Sequence, residues 1–269
     1  MTKIKVLHIS QATGGVQRHI IQLLPRLSRE RFEVTGICPP EDLIKGISAD
    51  KQSFPQAFKN IGTEVHTVVM SREINPAFDL AAFFKIYGFL RKRKFDIVHT
   101  HSSKAGFLGR IAARLAGVPV IVHTPHSMAF DNPVMMPIQR SFYMFLEKVA
   151  GLFCDKIIAV CKGEKELIAG SGVAPGDKIE VINNGVDPAL YDKRVDTSAK
   201  RKELGLKDSD KVVALVGRMS VQKAPFDFIK AALAVRKEFS DAVFLLLGDG
   251  PLLDAVRKYV AGGPPRRVY

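Results

Sequence analysis

The sequence has few cysteines, and their spacing excludes the common cysteine-based scaffolds. Its 269 residues contain only three, Cys38, Cys154 and Cys161, which is too few for a disulfide framework. None belongs to a Cys-x-x-Cys pair, so the usual redox and zinc motifs are also absent. We therefore expect buried thiols in a cytosolic protein.

Long apolar runs are missing as well. No stretch of 18 residues is predominantly apolar and without a charged residue, which predicts that no helix crosses a membrane. The N-terminal residues MTKIKVLHIS are typical of a short strand and lack the apolar core of a signal peptide. With 46% hydrophobic and 25% charged residues, the composition is that of a globular protein.

Acidic residues are scarce relative to basic ones, which gives a formal net charge of +13. Residues 1–150 hold 20 lysines and arginines against 11 acidic residues, and the remainder holds 20 against 16. Such an excess suits nucleic acid, an anionic membrane surface or phosphorylated small molecules. No helix-turn-helix, RRM or zinc-finger pattern accompanies the charge, so we expect no nucleic-acid partner.

Strand-like and helix-like segments alternate along the chain. This alternation predicts βαβ crossovers and a mostly parallel sheet, that is, an α/β fold. The predicted strands are Lys3–Ile9, Phe32–Cys38, Glu64–Met70, Phe95–Thr100, Pro119–Thr124, Asp155–Val160, Lys178–Ile182, Lys211–Gly217 and Ala242–Gly248. The predicted helices are Val16–Leu27, Phe78–Leu90, Lys104–Ala116, Ile138–Ala150, Gly163–Gly170, Ser198–Leu204, Pro225–Phe239 and Leu252–Val260.

A break divides this pattern into two domains. The turn-forming residues 183–188 (NNGVDP) end the last strand of the first part, and a polar stretch over 192–202 follows. We expect a complete Rossmann-like domain over residues 1–187 and a partial one over residues 196–269. The second has only two clear strands, whereas a doubly wound sheet of this kind has about five or six.

The first predicted strand runs into paired glycines, Gly14 and Gly15. Glycines at a helix N-terminus let backbone N–H groups approach an anion, and the helix dipole favours negative charge there. The segment does not match the dinucleotide fingerprint G-x-G-x-x-G. A plain tight turn is therefore the alternative to an anion site.

Histidines concentrate at the ends of two predicted strands. His99 and His101 lie in VHTHSSK, and His123 and His126 lie in VHTPHS. No carboxylate or cysteine accompanies them and the spacings lack a third ligand, which argues against a zinc site. Ordinary hydrogen-bonded loop histidines and a polar site at the strand ends both remain open.

The second domain carries two further loops of interest. Arg218 and Lys223 follow a predicted strand and could converge on one diphosphate, since arginine offers a fork of donors and lysine a point charge. A solvated pair of loop residues is the alternative. After the next strand, Gly248 and Gly250 in GDGP permit close backbone approach.

One segment suggests a surface role. Residues Phe83–Lys94 join aromatic side chains to the basic run RKRK. Such a segment could lie on an anionic membrane surface. A core-facing helix whose basic last turn complements the helix dipole is the favoured interpretation.

Taken in order, these segments resemble the retaining glycosyltransferases of family 4, which have the GT-B fold. The resemblance rests on GGVQRHIIQLL, HTHSSKAGFLGRIAARLAGVPVIVHTPHS, EKVAGLFCDKIIAVCKGEKELI, KIEVINNGVD, VALVGRMSVQKAPFDFIKAA and FLLLGDGPLLDAV, and it covers nearly all of residues 3–260. It implies an acceptor-side N-terminal domain, a C-terminal domain for a nucleotide-sugar donor, and no metal or other cofactor.

The resemblance also implies roles for single residues. Gly15, with Gly14, would place backbone N–H groups near the donor diphosphate, and His126 would contact the transferred sugar. Arg218 and Lys223 match the R-x-x-x-x-K pair that neutralises the leaving diphosphate.

Further candidates are less specific. Gly248 and Gly250 form a possible donor-side turn, and His101 and Lys104 are possible acceptor-side residues.

The sequence departs from the family where two glutamates seven residues apart are expected downstream of the GDGP turn. None of the acidic residues after Lys223 forms that pair, and the tail AGGPPRRVY reads like a premature stop or a frameshift. We therefore expect a C-terminally truncated chain with poor or no catalytic activity. The alternative to a working transferase is an inactive remnant that retains only acceptor or membrane binding.

The expected activity is transfer of a hexose-type sugar from a UDP-linked donor to a lipid-linked or polysaccharide acceptor. Cell-envelope or capsule glycan synthesis is the expected setting. The basic first half and the segment Phe83–Lys94 favour a membrane-borne acceptor, so we expect a cytoplasmic protein peripheral to the inner face of the cytoplasmic membrane.

Overall fold

The structure is a computed structural model and describes residues 2–11, 14–41, 53–71, 73–190 and 195–262. The chain divides into two compact units, Met1–Pro188 and Ala189–Tyr269. The expectation of an abrupt end rests on the tail AGGPPRRVY. Most of this tail, residues 263–269, lies outside the described residues.

Within its described residues, the first unit contains seven strands and six α-helices. The strands are β1 Ile4–Ser10, β2 Phe32–Cys38, β3 Glu64–Thr67, β4 Ile97–His101, β5 Val120–Thr124, β6 Lys156–Ala159 and β7 Ile179–Val181. The helices are α1 Gly15–Leu23, α2 Phe54–Asn60, α3 Pro76–Arg93, α4 Ser103–Ala116, α5 Pro137–Gly151 and α6 Lys162–Gly170.

All seven strands form one parallel sheet in the order β3-β2-β1-β4-β5-β6-β7. The order reverses between β1 and β4, where the chain crosses from one half of the sheet to the other. The α/β fold with a parallel sheet is therefore confirmed. Ligands of such sheets bind beyond the carboxyl ends of the strands at this reversal, which directs attention to the loops after β1 and β4.

Helices cover both faces of the sheet because successive residues of a strand point to opposite sides. Leu7 and Ile9 of β1 pack into the larger core, together with apolar residues of α3 and α4. A smaller core on the other face joins Ile20 of α1 to Phe54 and Phe58 of α2.

Two helices differ from the sequence-based expectation. Helix α1 ends at Leu23, and a 3₁₀ turn, Leu24–Arg26, follows because Pro25 has no N–H to continue the helix. Helix α2 was not predicted. It begins after Ser53, whose hydroxyl accepts a hydrogen bond from the Gln56 N–H at 3.3 Å.

The thiols follow the expectation only in part. Cys38 and Cys154 are buried, but Cys161 is exposed, so the prediction of three buried thiols was wrong. Cys161 precedes α6 and caps it, with its sulfur accepting from the Glu164 N–H at 3.4 Å.

Helix α3 supports the core-facing interpretation of the segment Phe83–Lys94. Ala82, Ile86 and Leu90 are buried against the core, while Arg93 pairs with Glu64 on the surface. Within the described residues, no helix combines the length and the apolar character that crossing a bilayer requires.

The described part of the second unit contains three α-helices and two strands. These are α7 Ser198–Glu203, β8 Lys211–Val216, α8 Pro225–Glu238, β9 Ala242–Leu247 and α9 Leu253–Gly262. The two strands are parallel, and α8 and α9 pack against β9 through a small core that contains Ile229, Phe244 and Val256.

A buried ion pair ties α4 to α5. The Arg110 guanidinium is fully buried and donates from Nη2 to a Glu147 carboxylate oxygen at 2.7 Å and from Nε to the Gly106 carbonyl at 2.8 Å. Removing one partner of such a pair leaves an uncompensated buried charge, which costs far more than the pair itself contributes.

We expect Glu147→Ala to lower the free energy of unfolding of the first unit by about 3–5 kcal/mol. The matched control is Glu180→Ala, since Glu180 forms an exposed pair with Lys156 at 3.3 Å and should cost below about 1 kcal/mol. Urea unfolding followed by circular dichroism measures both, and equal costs would contradict the argument.

Candidate functional site

Five histidines meet at the carboxyl edge of the sheet beside α1. We call them the histidine cluster: His8, His19, His99, His101 and His126. The parallel register places His8 of β1 opposite His99 of β4, and His101 follows two residues later on the same face. His19 comes from α1, and His126 comes from the loop after β5.

Hydrogen bonds link three members of the cluster into a chain. His8 Nδ1 lies 3.0 Å from His101 Nε2, and His101 Nδ1 lies 3.2 Å from His126 Nε2. Both ring nitrogens of His101 are therefore engaged. The ring of His19 packs edge-on against that of His126, with a centroid separation of 4.8 Å.

Burial keeps the cluster neutral. Desolvation, followed by repulsion from His19, lowers the pKa of His8 to about 3 and that of His126 to about 4. Desolvation is also the largest cause of the lowered pKa values of His99 and His101. At neutral pH these rings each carry one N–H donor and one lone pair that can accept a hydrogen bond.

His123 lies apart from the cluster, although the sequence grouped it with His126. It points to the other face of the sheet, where Thr100 Oγ1 lies 2.9 Å from its Nδ1 and its ring contacts Gly106 of α4. Because side chains alternate between the two faces of the sheet along β5, His123 faces away from the histidine cluster.

The loop that carries His126 is held by Glu164 of α6. His126 and Ser127 have positive φ angles of 56° and 88°, a region that non-glycine residues occupy only at a cost. Glu164 offsets this cost because its carboxylate accepts from the Ser127 N–H and from the Val160 N–H, each at 2.7 Å. Sequence analysis missed Glu164, although its place three residues after a helix cap was a usable signal.

Gly14 and Gly15 leave the start of α1 open. Gly14 has φ 70°, which a residue with a side chain rarely adopts, and both glycines are exposed. Among the described residues, no side chain caps the helix and no acidic residue lies in its first turn. The positive end of the α1 helix dipole therefore lies beside the two glycines.

Lys104, a possible acceptor-side residue, is engaged in contacts within the first unit. Its ammonium group is mostly buried and pairs with Asp79 Oδ1 at 2.7 Å, and it also donates to the Glu73 carbonyl. It joins the start of α4 to α3. His101, the other acceptor-side candidate, is fully buried within the cluster.

In the second unit, the loops after β8 and β9 are joined backbone to backbone. Met219 N–H donates to the Asp249 carbonyl at 2.8 Å, and Leu252 N–H donates to the Met219 carbonyl at 2.9 Å. A Cβ at Gly248 or Gly250 would collide with the backbone of Gly217 or Met219. The two turn glycines therefore fix the segment that carries Arg218.

Arg218 and Lys223 are both exposed. Within the described part of the chain, neither side chain forms an ion pair with a carboxylate. Two exposed cations without a carboxylate partner among the described residues suit an anionic ligand.

Comparison with known proteins identifies the family of this chain. The family model described as Glycosyltransferase Family 4 matches residues 13–190. This chain belongs to glycosyltransferase family 4. The match covers the histidine cluster apart from His8, and it covers the glycine pair.

Two curated relatives show how much of a family 4 protein this chain represents. It is 34% identical to the UDP-Gal:alpha-D-GlcNAc-diphosphoundecaprenol alpha-1,3-galactosyltransferase of Escherichia coli over 95% of this chain and 65% of that protein. It is 28% identical to the D-inositol 3-phosphate glycosyltransferase of Salinispora arenicola over 93% of this chain and 56% of that protein. The chain thus spans about three fifths of their length.

A solved structure confirms the GT-B type of fold for this family 4 chain. The crystal structure of Anabaena Alr3699/HepE in complex with UDP and glucose matches with a TM-score of 0.74 at 19% identity, over 98% of this chain and 68% of that one. At this identity the likeness concerns the fold alone.

The neutral histidine cluster predicts sensitivity to acid. His8 and His126 titrate near 6.5 when unfolded but near 3 and 4 when folded, so the unfolded state binds more protons between those values. The contribution of these histidines to the free energy of unfolding is therefore complete above about pH 6.5. It falls as the pH drops toward about 4, by roughly 1.4 kcal/mol per pH unit for each histidine.

Urea unfolding measures this effect at about pH 7.5, which lies above the range, and at about pH 6.0 and 5.0, which lie within it. The control His66→Gln should retain the full loss, since His66 is exposed on β3 beside Glu64. A stability that does not change between these pH values would contradict the neutral cluster.

We expect Glu164→Ala to destabilise the first unit by about 2–4 kcal/mol, because two backbone N–H groups lose a charged acceptor. Glu166→Ala, an exposed position on the same helix, is the control and should change stability by less than about 0.5 kcal/mol. Thermal and urea unfolding compare the two variants. Similar losses from both would show that Glu164 does not hold the His126 loop.

Proposed function

We propose that the protein to which this chain belongs transfers a sugar from a UDP-linked donor to a lipid-linked acceptor in which a lipid diphosphate carries a terminal sugar. The observation that carries this proposal is the 34% identity, over nearly the whole chain, to a UDP-galactose transferase that acts on a GlcNAc-diphosphoundecaprenol. UDP in the matching Anabaena structure supports the choice of nucleotide.

Charge supports the donor assignment. Departure of a nucleoside diphosphate develops negative charge, and cations that are already in place stabilise it in the transition state. Arg218 and Lys223 are assigned this role because they are exposed cations without carboxylate partners among the described residues. The open N-terminus of α1 at Gly14 and Gly15 is assigned to a phosphate oxygen.

His126 is assigned to the transferred sugar. Its pKa near 4 keeps the imidazole neutral, so it can donate or accept one hydrogen bond with a sugar hydroxyl without adding charge to the site. The backbone strain at His126 and Ser127, held by Glu164, fixes the ring against the cluster. Retention of the anomeric configuration is part of this proposal through the family resemblance.

A membrane-borne acceptor is supported by the surface of the first unit. Ile138, Phe142 and Phe145 of α5 are at least half exposed and follow the i, i+4, i+7 spacing of one helical face. Apolar side chains on one face of a surface helix suit the interface of a lipid bilayer. The net charge of +13 would favour an anionic leaflet.

The test measures transfer by the purified protein to which this chain belongs, from a panel of UDP- and GDP-linked sugars to a synthetic lipid diphosphate that bears one GlcNAc residue. We expect transfer from UDP-galactose or another UDP-hexose. Arg218→Ala and Lys223→Ala should each lower kcat/KM by roughly 10- to 150-fold, which corresponds to the loss of one charge-assisted hydrogen bond.

The control variant is Lys230→Ala, since Lys230 is exposed on α8 and forms a surface pair with Asp227 at 3.3 Å. It should leave kcat/KM within about twofold of the parent protein. A GDP-sugar preference, or equal losses in all three variants, would overturn the assignment of the donor site.

A further inference from the structure

The sugar-transfer proposal uses His126 alone, but the structure groups this residue with two further members of the histidine cluster. One ring nitrogen from each of His19, His101 and His126 lies within 4.8 Å of the other two. Tetrahedral zinc ligands stand about 3.3 Å apart at Zn–N distances near 2.0–2.1 Å. The observed 3.2 Å between His101 Nδ1 and His126 Nε2 matches this separation.

The second ring nitrogen of His101 is already engaged as it would be around a metal ion, and His19 also has a hydrogen-bond partner. His101 Nε2 lies 3.0 Å from His8 Nδ1, and the side chain of Asn184 hydrogen-bonds His19. Metal-ligating histidines characteristically use their other ring nitrogen in this way, which fixes the tautomer. In the tautomer where His101 donates to His8, its Nδ1 lone pair faces His126.

The burial of the three side chains suits an open site. His101 is fully buried on the sheet, whereas His19 and His126 are only half-buried. The buried ligand anchors the group, while the two outer rings approach it from α1 and from the loop after β5. This arrangement also leaves a coordination position toward solvent, as three-ligand zinc sites do.

We propose that His19, His101 and His126 form a binding site for a divalent transition-metal ion of the zinc type, with three imidazole ligands and one open position. Imidazole favours zinc, cobalt, nickel and copper over magnesium and calcium, which prefer oxygen ligands. Binding needs no covalent or redox step. It also does not depend on the proposed transferase activity, because it is measured without substrates.

The experiment uses the tag-free protein after treatment with EDTA. Titration with Co²⁺ followed by visible absorption should saturate at one equivalent with the spectrum of a tetrahedral nitrogen-ligated ion, and Zn²⁺ should displace it. Isothermal titration with Zn²⁺ gives the affinity. An absence of saturable binding, or a stoichiometry unrelated to one site, would overturn the proposal.

Variants locate the site. His19→Gln should weaken Zn²⁺ binding by at least about 100-fold, and Asn184→Ala should weaken it by about 10–100-fold through the lost support of His19. His19 is half-buried on the surface of α1, so the fold should survive its replacement. Circular dichroism checks this point.

His66→Gln is the matched control, because His66 lies on β3 outside the cluster and should leave the affinity unchanged. Binding that survives His19→Gln, or that falls equally in His66→Gln, would show that the metal binds elsewhere and would overturn the assignment. Added Mg²⁺ should not compete with Zn²⁺, and strong competition would likewise contradict an imidazole site.

Discussion

The parallel pairing of β1 with β4 is the constraint on which the site depends. Its register sets His8 against His99 and Ser10 against His101, so both strands end at the same edge of the sheet. These strands lie where the strand order reverses, which is where sheets of this kind bind ligands. A shift of one residue in this register would turn every histidine of β4 toward the opposite face of the sheet.

The sequence predicted the architecture well because alternating apolar segments report the sheet directly. Most predicted strands agree with the observed ones to within a few residues, as at Phe32–Cys38. Helix α2 was missed because it is short, so its apolar spacing stayed below a recognisable period. The exposed Cys161 was missed because composition says nothing about which residue caps a helix.

The candidate site was only partly predictable. Motifs pointed to His101 and His126, but His8 sits inside an apolar strand and His19 inside an amphipathic helix, where each reads as an isolated polar residue. Only the register of the sheet and the position of α1 bring them together. His123 shows the reverse case, since a neighbour in sequence lies on the other face of the sheet.

The joined loops of the second unit have a consequence for ligand binding. Backbone hydrogen bonds between the loops after β8 and β9, together with the close approach at Gly248 and Gly250, order the segment around Arg218 during folding. A ligand that meets Arg218 therefore does not have to immobilise a flexible backbone, and only the arginine side chain loses rotational freedom. Affinity at this position should then depend on side-chain chemistry and vary little with the stiffness of the loop.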